Sequence, residues 1–90
     1  MQFRKLGRDG PELSTVGVGA WAIGGPWRFG WGPQDDDESI AALHKAFDAG
    51  VTWVDTAAVY GLGHSEEVVG QVLRERAGGE LVFTKCGRPW

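Results

Sequence analysis

The fold of this chain is decided by residues 51–85, which read VTWVDTAAVYGLGHSEEVVGQVLRERAGGELVFTK. Two short runs of apolar and β-branched residues, at 51–54 and 81–84, have the length and composition of buried strands. Between them, residues 65–73 place valines and a leucine on one face of a helix, and Gly78 and Gly79 end it. A strand, a helix and a strand in this order predict a right-handed βαβ unit with parallel strands.

The residues before this stretch predict a second unit of the same kind. Asp35 is placed to cap the start of a helix, and Gly50 ends that helix. Residues 15–19 predict a further buried strand, and residues 1–14 predict a β-hairpin. Residues 20–33 hold three tryptophans with no periodicity, which indicates a long loop. The predicted fold class is therefore α/β, with an N-terminal β-hairpin followed by a β-α-β-α-β portion.

Composition and charge narrow the classes of function. The net charge is −3 and the pI about 5.2, whereas nucleic-acid modules are usually basic, so we expect no nucleic-acid partner. No apolar run reaches the length of a membrane span and no signal-peptide pattern opens the chain, so we expect no membrane partner. The single cysteine, Cys86, excludes an internal disulfide and a cysteine-based zinc site, and it fits a reducing cytoplasm. We expect a cytoplasmic protein that binds no metal.

Three polar residues lie just after the predicted strands. Asp55 directly follows the run 51–54, Lys85 directly follows the run 81–84, and Tyr60 lies in the loop after Asp55. Active sites of parallel sheets gather at the carboxyl ends of the strands, and consecutive strands are usually neighbours, so we expect Asp55 and Lys85 to form an ion pair. An ammonium beside a phenol favours the ionised phenol. The trio therefore predicts a proton donor for exchange between an alcohol and a carbonyl.

Short motifs along the whole chain resemble, in order and spacing, those of the aldo-keto reductases. These motifs are RKLG at 4–7, GVGAW at 17–21, VDTAAVYG at 54–61 with Gly63, Ser65 and Glu66, and TKCG at 84–87. The resemblance implies that the β-α-β-α-β portion belongs to a (β/α)8 TIM barrel, of which this chain holds an incomplete set of strands and helices. It also implies that the protein reduces aldehydes and ketones to alcohols with NADPH. It implies that Tyr60 is the general acid for the carbonyl oxygen, that Lys85 assists Tyr60, and that Asp55 pairs with Lys85.

The resemblance also implies where the ligands would bind. The cofactor would contact the segment after the first parallel strand, together with Asp55. The residues implied in that segment are Gly19, Ala20 and Trp21. A small-molecule carbonyl substrate would contact Trp21 and Tyr60.

Other residues near these motifs have structural interpretations. We expect Trp27 and Trp31 to pack the long loop, with Trp21 favoured over both for contact with a ligand. We expect Cys86 to be a small buried residue. The acidic residues 35–38 fit a helix start better than a metal site, because capping accounts for them.

The match to the family is incomplete. The family's fourth catalytic residue, a histidine, follows the fourth strand, and neither His44 nor His64 occupies that place. We therefore expect residues 1–90 to be the N-terminal part of a single barrel domain, with 1–14 as a hairpin cap and 15–90 as the first βαβαβ units. With the remainder of the barrel missing, we expect this piece alone to be inactive.

Two alternatives of other classes stay open. One is a non-catalytic remnant of a truncated reading frame, or a half-barrel subunit that needs a partner chain. The other is a flavodoxin-like regulatory domain, which has the same βαβ pattern. The latter predicts acidic residues after the first parallel strand, where Gly19, Ala20 and Trp21 stand instead, and it does not predict the hairpin.

Overall fold

A computed structural model describes residues 1–87, which form a two-stranded antiparallel sheet, a three-stranded parallel sheet and two helices. The elements in chain order are β1 (Phe3–Lys5), β2 (Glu12–Ser14), β3 (Val18–Gly19), α1 (Asp36–Asp48), β4 (Trp53–Asp55), α2 (His64–Arg74) and β5 (Leu81–Phe83). Short 3₁₀ turns at Ala22–Gly24 and Tyr60–Gly63 follow β3 and β4. The predicted hairpin and β-α-β-α-β order are confirmed, and the described residues do not close a barrel.

The parallel sheet has the order β3-β4-β5. Its register pairs Gly19 with Asp55 and Asp55 with Phe83, so the carboxyl ends of the three strands lie at one level. Asp55 is therefore the last residue of β4 and Lys85 the second after β5, whereas the sequence predicts each directly after its strand. The pairing reaches as far as the Thr56 amide, which donates to the Phe83 carbonyl at 2.8 Å.

The first parallel strand is shorter than the predicted 15–19. The Ser14 hydroxyl donates to the Val16 carbonyl at 2.6 Å, which bends the chain between the hairpin and the sheet. Gly17 then passes directly under the indole of Trp53. Only Val18 and Gly19 pair with β4, because the preceding residues form this bend.

The core lies between the parallel sheet and the two helices. Val54, at 0% exposure, points from β4 into this layer, where it meets Leu43 and Phe47 of α1 and the valines of α2. Asp35 caps α1 as predicted, since its carboxylate accepts the Asp37 amide at 2.9 Å. The apolar stripes of both helices therefore bury against one face of the sheet, which leaves Trp53 and Asp55 on the other face.

A charged cluster joins the carboxyl-terminal ends of the two helices. Arg76 donates to Asp48 at 2.9 Å and to Nδ1 of His44 at 3.1 Å. Because a guanidinium only donates, Nδ1 of His44 accepts, and its Nε2–H donates to Glu75 at 2.9 Å. The hydrogen bond to Asp48 raises the pKa of Arg76, and the one from His44 lowers the pKa of Glu75. His44 thus has a structural role far from the strand ends.

The hairpin is joined to the start of β4 through several hydrogen bonds of Ser14. The Ser14 amide donates to the Thr52 hydroxyl at 3.0 Å, and the Ser14 carbonyl accepts from the Trp53 indole at 2.8 Å. The Trp53 ring also packs edge-on against Phe83, with ring centroids 5.6 Å apart. A side chain at Gly17 would overlap the Trp53 ring, whereas one at Gly19 would meet nothing within 4 Å.

We expect Gly17→Ala to destabilise the protein by about 1–3 kcal/mol, because the added methyl must displace a ring fixed by two neighbours. Gly19→Ala is the matched control, and it should change the unfolding free energy by less than about 0.5 kcal/mol. Urea unfolding followed by tryptophan fluorescence measures both variants beside the parent chain. Equal effects of the two substitutions would show that the Trp53 contact does not constrain the fold.

Candidate functional site

Asp55 and Lys85 meet at the carboxyl edge of the parallel sheet. The Lys85 ammonium donates to Oδ2 of Asp55 at 2.9 Å and to the Thr56 carbonyl at 2.8 Å. The loop carrying the lysine is tied to α2, since the Thr84 hydroxyl donates to Glu66 at 2.6 Å. The hydrogen bond to Asp55, reinforced by the attraction of its charge, raises the pKa of Lys85 against the opposing effect of burial. At this edge Lys85 is therefore a fixed positive charge at neutral pH.

Tyr60 begins the turn that follows β4 and joins this pair. Its ring lies beneath the Lys85 ammonium, 5.2 Å from nitrogen to ring centroid, and stacks with Trp21 at 6.5 Å. The turn is packed tightly on its neighbour, because a side chain at Gly61 would overlap the backbone of Gly24. Gly61 also has φ +62°, which glycine adopts without strain. The structure thus brings Asp55, Tyr60 and Lys85 together at the strand ends.

A buried hydroxyl pair holds the floor of the site. Ser65, in the first turn of α2, is fully buried and donates to the Ala20 carbonyl at 2.9 Å. Its oxygen also lies 2.7 Å from the hydroxyl of Thr56, which is fully buried too. The Thr56 backbone carbonyl in turn accepts from Lys85. These hydrogen bonds hold residues from two loops and one helix together beneath the Asp55–Lys85 pair. The glycine-rich turn before Ser65 therefore has a structural role, because it leads into the helix that carries this serine.

The His64 side chain contacts acidic residues of the two helices. Its Nε2 is 2.8 Å from the carboxylate of Asp36 at the start of α1, and its Nδ1 is 3.8 Å from Glu67. It thus joins the amino-terminal turns of the two helices. The structure places neither histidine of the chain with Asp55, Tyr60 and Lys85.

An open cleft of about 690 Å³ adjoins Tyr60 and Lys85. Its wall comes from the long aromatic loop and from the loop after β4. The lining residues are Pro26, Trp27, Arg28, Phe29, Ala57, Ala58, Val59, Tyr60, Leu62, Lys85 and Cys86. This volume lies within the about 300–1,000 Å³ that is typical of small-molecule sites.

The cleft differs in part from what the sequence predicts. Trp27 lines it, whereas Trp21 stacks on Tyr60 and Trp31 packs against Trp21 with ring centroids 6.4 Å apart. The expectation that Cys86 is buried is wrong, because it is exposed on the cleft wall, where the described residues leave it uncovered. Arg28 also lines the cleft, and the only sequence signal for it is its place in an aperiodic loop rich in aromatic residues.

The residues expected to contact a cofactor surround an open surface. Gly19 and Asp55 are paired at the strand ends, and space above Gly19 is free. Trp21 exposes an aromatic face next to them. Ala20 lies beneath this surface, since its amide donates to the Asp55 carbonyl at 2.9 Å and its carbonyl accepts from Ser65. Gly19, Trp21 and Asp55 therefore border an accessible surface at the strand ends, and Ala20 lies beneath it.

Two further features concern the described residues only. Within residues 1–87, no group of three or more His, Cys, Asp or Glu side chains is arranged to hold a metal ion. No helix in this part of the chain is long and apolar enough to cross a membrane.

Comparison with known proteins gives one consistent result. Residues 15–90 match the model of the aldo/keto reductase family. The chain is 39% identical to aldo-keto reductase YhdN of Bacillus subtilis over 92 residues, which covers 100% of this chain and 27% of that protein. It is 39% identical to the NADH-specific methylglyoxal reductase of Escherichia coli over 88 residues, covering 94% of this chain and 26% of that protein.

The fold is found in a solved structure as well. The holo form of aldo-keto reductase AKR11C1 from Bacillus halodurans superimposes with a TM-score of 0.83 at 24% identity, covering 100% of this chain and 27% of that one. The chain therefore has the fold of part of an aldo-keto reductase barrel. It spans about a quarter of the length of the relatives it matches.

We expect the ammonium of Lys85 to resist acylation. Its raised pKa leaves a smaller fraction of the reactive neutral amine at pH 9, so Asp55→Asn, which removes the ion pair, should speed the reaction of Lys85 with an N-hydroxysuccinimide ester; Lys5 and Lys45 serve as reference lysines. Peptide mass spectrometry of a time course gives the three rates in one sample. The rates of Lys5 and Lys45 should not change in this variant. A Lys85 rate that Asp55→Asn leaves unchanged would contradict the ion pair.

Proposed function

This chain belongs to the aldo/keto reductase family, whose members are oxidoreductases, and we propose that the protein reduces aldehydes and ketones to alcohols with NADPH. The observation that carries the proposal is the cluster of Asp55, Tyr60 and Lys85 at the carboxyl edge of a parallel sheet, beside an aromatic cleft. Such an edge is where parallel α/β folds place their active sites. The family membership rules out the flavodoxin-like alternative.

Each residue of the cluster has one task in this proposal. The Tyr60 hydroxyl donates its proton to the carbonyl oxygen of the substrate as that oxygen gains negative charge. The positive charge of Lys85, 5.2 Å from the ring centroid, stabilises the phenolate that remains. Asp55 holds the ammonium in place and keeps it protonated. The reduced nicotinamide, when bound, supplies the hydride that the carbonyl carbon accepts.

The cofactor contacts are part of the same proposal. Gly19 and Trp21 would face the nicotinamide, Asp55 would border it, and Ala20 would support this surface from below. NADPH is the cofactor that the family resemblance implies. Because one relative is an NADH-specific reductase, the preference is to be measured with both cofactors.

The proposal extends to the whole protein. Residues 1–90 would be the N-terminal part of one barrel domain, with 1–14 as a hairpin cap and 15–90 as the first βαβαβ units, in a cytoplasmic enzyme. The remaining strands would supply the missing histidine and the rest of the cofactor site, so residues 1–90 alone would be inactive. A half-barrel that needs a partner chain is the second candidate, because among the described strands β3 and β5 each have one free edge.

Tyr60→Phe tests this function. The substitution is made in the full-length natural protein that contains residues 1–90. We expect its kcat for aldehyde reduction to fall by about a hundredfold or more, because the aromatic ring of residue 60 stays and the hydroxyl that donates the proton is lost. NADPH consumption followed at 340 nm measures turnover, and quenching of tryptophan fluorescence shows whether NADPH still binds. Activity within a few-fold of the parent protein would overturn the role of Tyr60.

The same assay applied to residues 1–90 alone checks the expected inactivity. Turnover by this piece would contradict it. Activity that appears only when a second chain is added would favour the half-barrel alternative.

A further inference from the structure

The cleft beside Tyr60 is positively charged in an otherwise acidic chain. The chain has a net charge of −3, yet among residues 1–87 the cleft is lined by Arg28 and Lys85 and by no aspartate or glutamate. The other lining residues are apolar, aromatic or uncharged. A ligand that fills this cleft therefore meets a positive field between apolar walls.

The two cations of the cleft differ in their pairing within residues 1–87. Lys85 is paired with Asp55 at 2.9 Å. Arg28 has no carboxylate within 4 Å among residues 1–87, and its guanidinium carbon lies 5.1 Å from the ring centroid of Phe29. Contact with the aromatic face orients the guanidinium without using its N–H groups. These donors remain available for the two oxygens of a carboxylate, which a guanidinium binds side by side.

We propose that Arg28 is a substrate-anion site, so that the preferred substrates are aldehydes or ketones that carry a carboxylate. This inference rests on the proposed carbonyl reduction. Trp27 and Leu62 contact the apolar middle of such a substrate, and Tyr60 and Lys85 lie at the reacting carbonyl. The carboxylate itself undergoes no bond change. It holds the substrate in register while the carbonyl carbon gains the hydride and its oxygen gains the tyrosine proton.

The position of Arg28 favours the substrate over the cofactor as the source of the anion. The surface proposed for the nicotinamide is bordered by Gly19, Trp21 and Asp55, and none of these three residues lines the cleft. Arg28 and Phe29 belong instead to the loop between β3 and α1, on the cleft side of Tyr60. A carboxylate bound to Arg28 therefore lies in the same cleft as the carbonyl group of the substrate.

The test compares 4-carboxybenzaldehyde with its neutral methyl ester, methyl 4-formylbenzoate, in the longest natural chain that carries residues 1–90. Arg28→Gln should lower kcat/KM for the acid about fivefold or more, with the ester changed less than about twofold. Arg28→Lys should retain part of the preference for the acid. Arg8→Gln is the matched control, because it removes the same charge from the exposed hairpin turn, and it should change neither substrate.

A binding measurement separates this inference from the proposed function. Benzoate binding, followed by quenching of tryptophan fluorescence, should weaken about fivefold in Arg28→Gln but not in Arg8→Gln. If neither aldehyde is reduced but benzoate binding depends on Arg28, carbonyl reduction is wrong and the anion site stands. Benzoate binding that is independent of Arg28 overturns the anion site, whatever the turnover. If Arg28→Gln raises the KM for NADPH and leaves the KM for the acid unchanged, Arg28 contacts the cofactor, and the inference is overturned as well.

Discussion

The register of the parallel strands β3, β4 and β5 is the constraint on which the rest of the structure depends. Gly19, Asp55 and Phe83 lie at the same level, and the ladder continues through the Ala20 and Thr56 amides. A slip of one residue would exchange the two faces of β4 and drive the Asp55 carboxylate into the layer where Val54 is buried. Because an unpaired carboxylate there would cost several kcal/mol, the hydrophobic core fixes the register and thereby the site.

The Asp55–Lys85 pair is placed by this register and does not itself hold the fold together. The lysine and aspartate side chains are 54% and 41% exposed, and ion pairs as exposed as this contribute little to stability. The Thr56 carbonyl and the buried Ser65 hydroxyl position the lysine and the floor beneath it. Arg76, by contrast, is largely covered and joins two helices through Asp48 and His44. The Arg76 cluster thus joins α1 to the segment after α2, whereas the Asp55–Lys85 pair stays accessible.

The sequence predicts the fold and the Asp55–Lys85 contact for the same reason. Alternating strands and helices define a parallel sheet, and polar residues at the ends of neighbouring strands must meet. The lengths of the strands were harder to predict, because the bend at Ser14 and Val16 depends on a side-chain hydrogen bond. The cleft wall could not be predicted, since residues 20–33 have no periodicity and their positions follow from tertiary packing. The position of Arg28 in the cleft follows from the packing of that loop, and the exposure of Cys86 follows from its place on the cleft wall after β5.

In the proposed reaction Asp55 acts on Tyr60 through Lys85, and a double-mutant cycle on carbonyl reduction tests this route. Asp55→Asn, Lys85→Met and the double variant are compared by kcat in the longest natural chain that carries residues 1–90, with Lys45→Met as the lysine control. The double variant should be no slower than Lys85→Met within about twofold, because the aspartate has nothing left to hold. Losses that multiply would show that the two residues act independently of each other, which would contradict a route through Lys85.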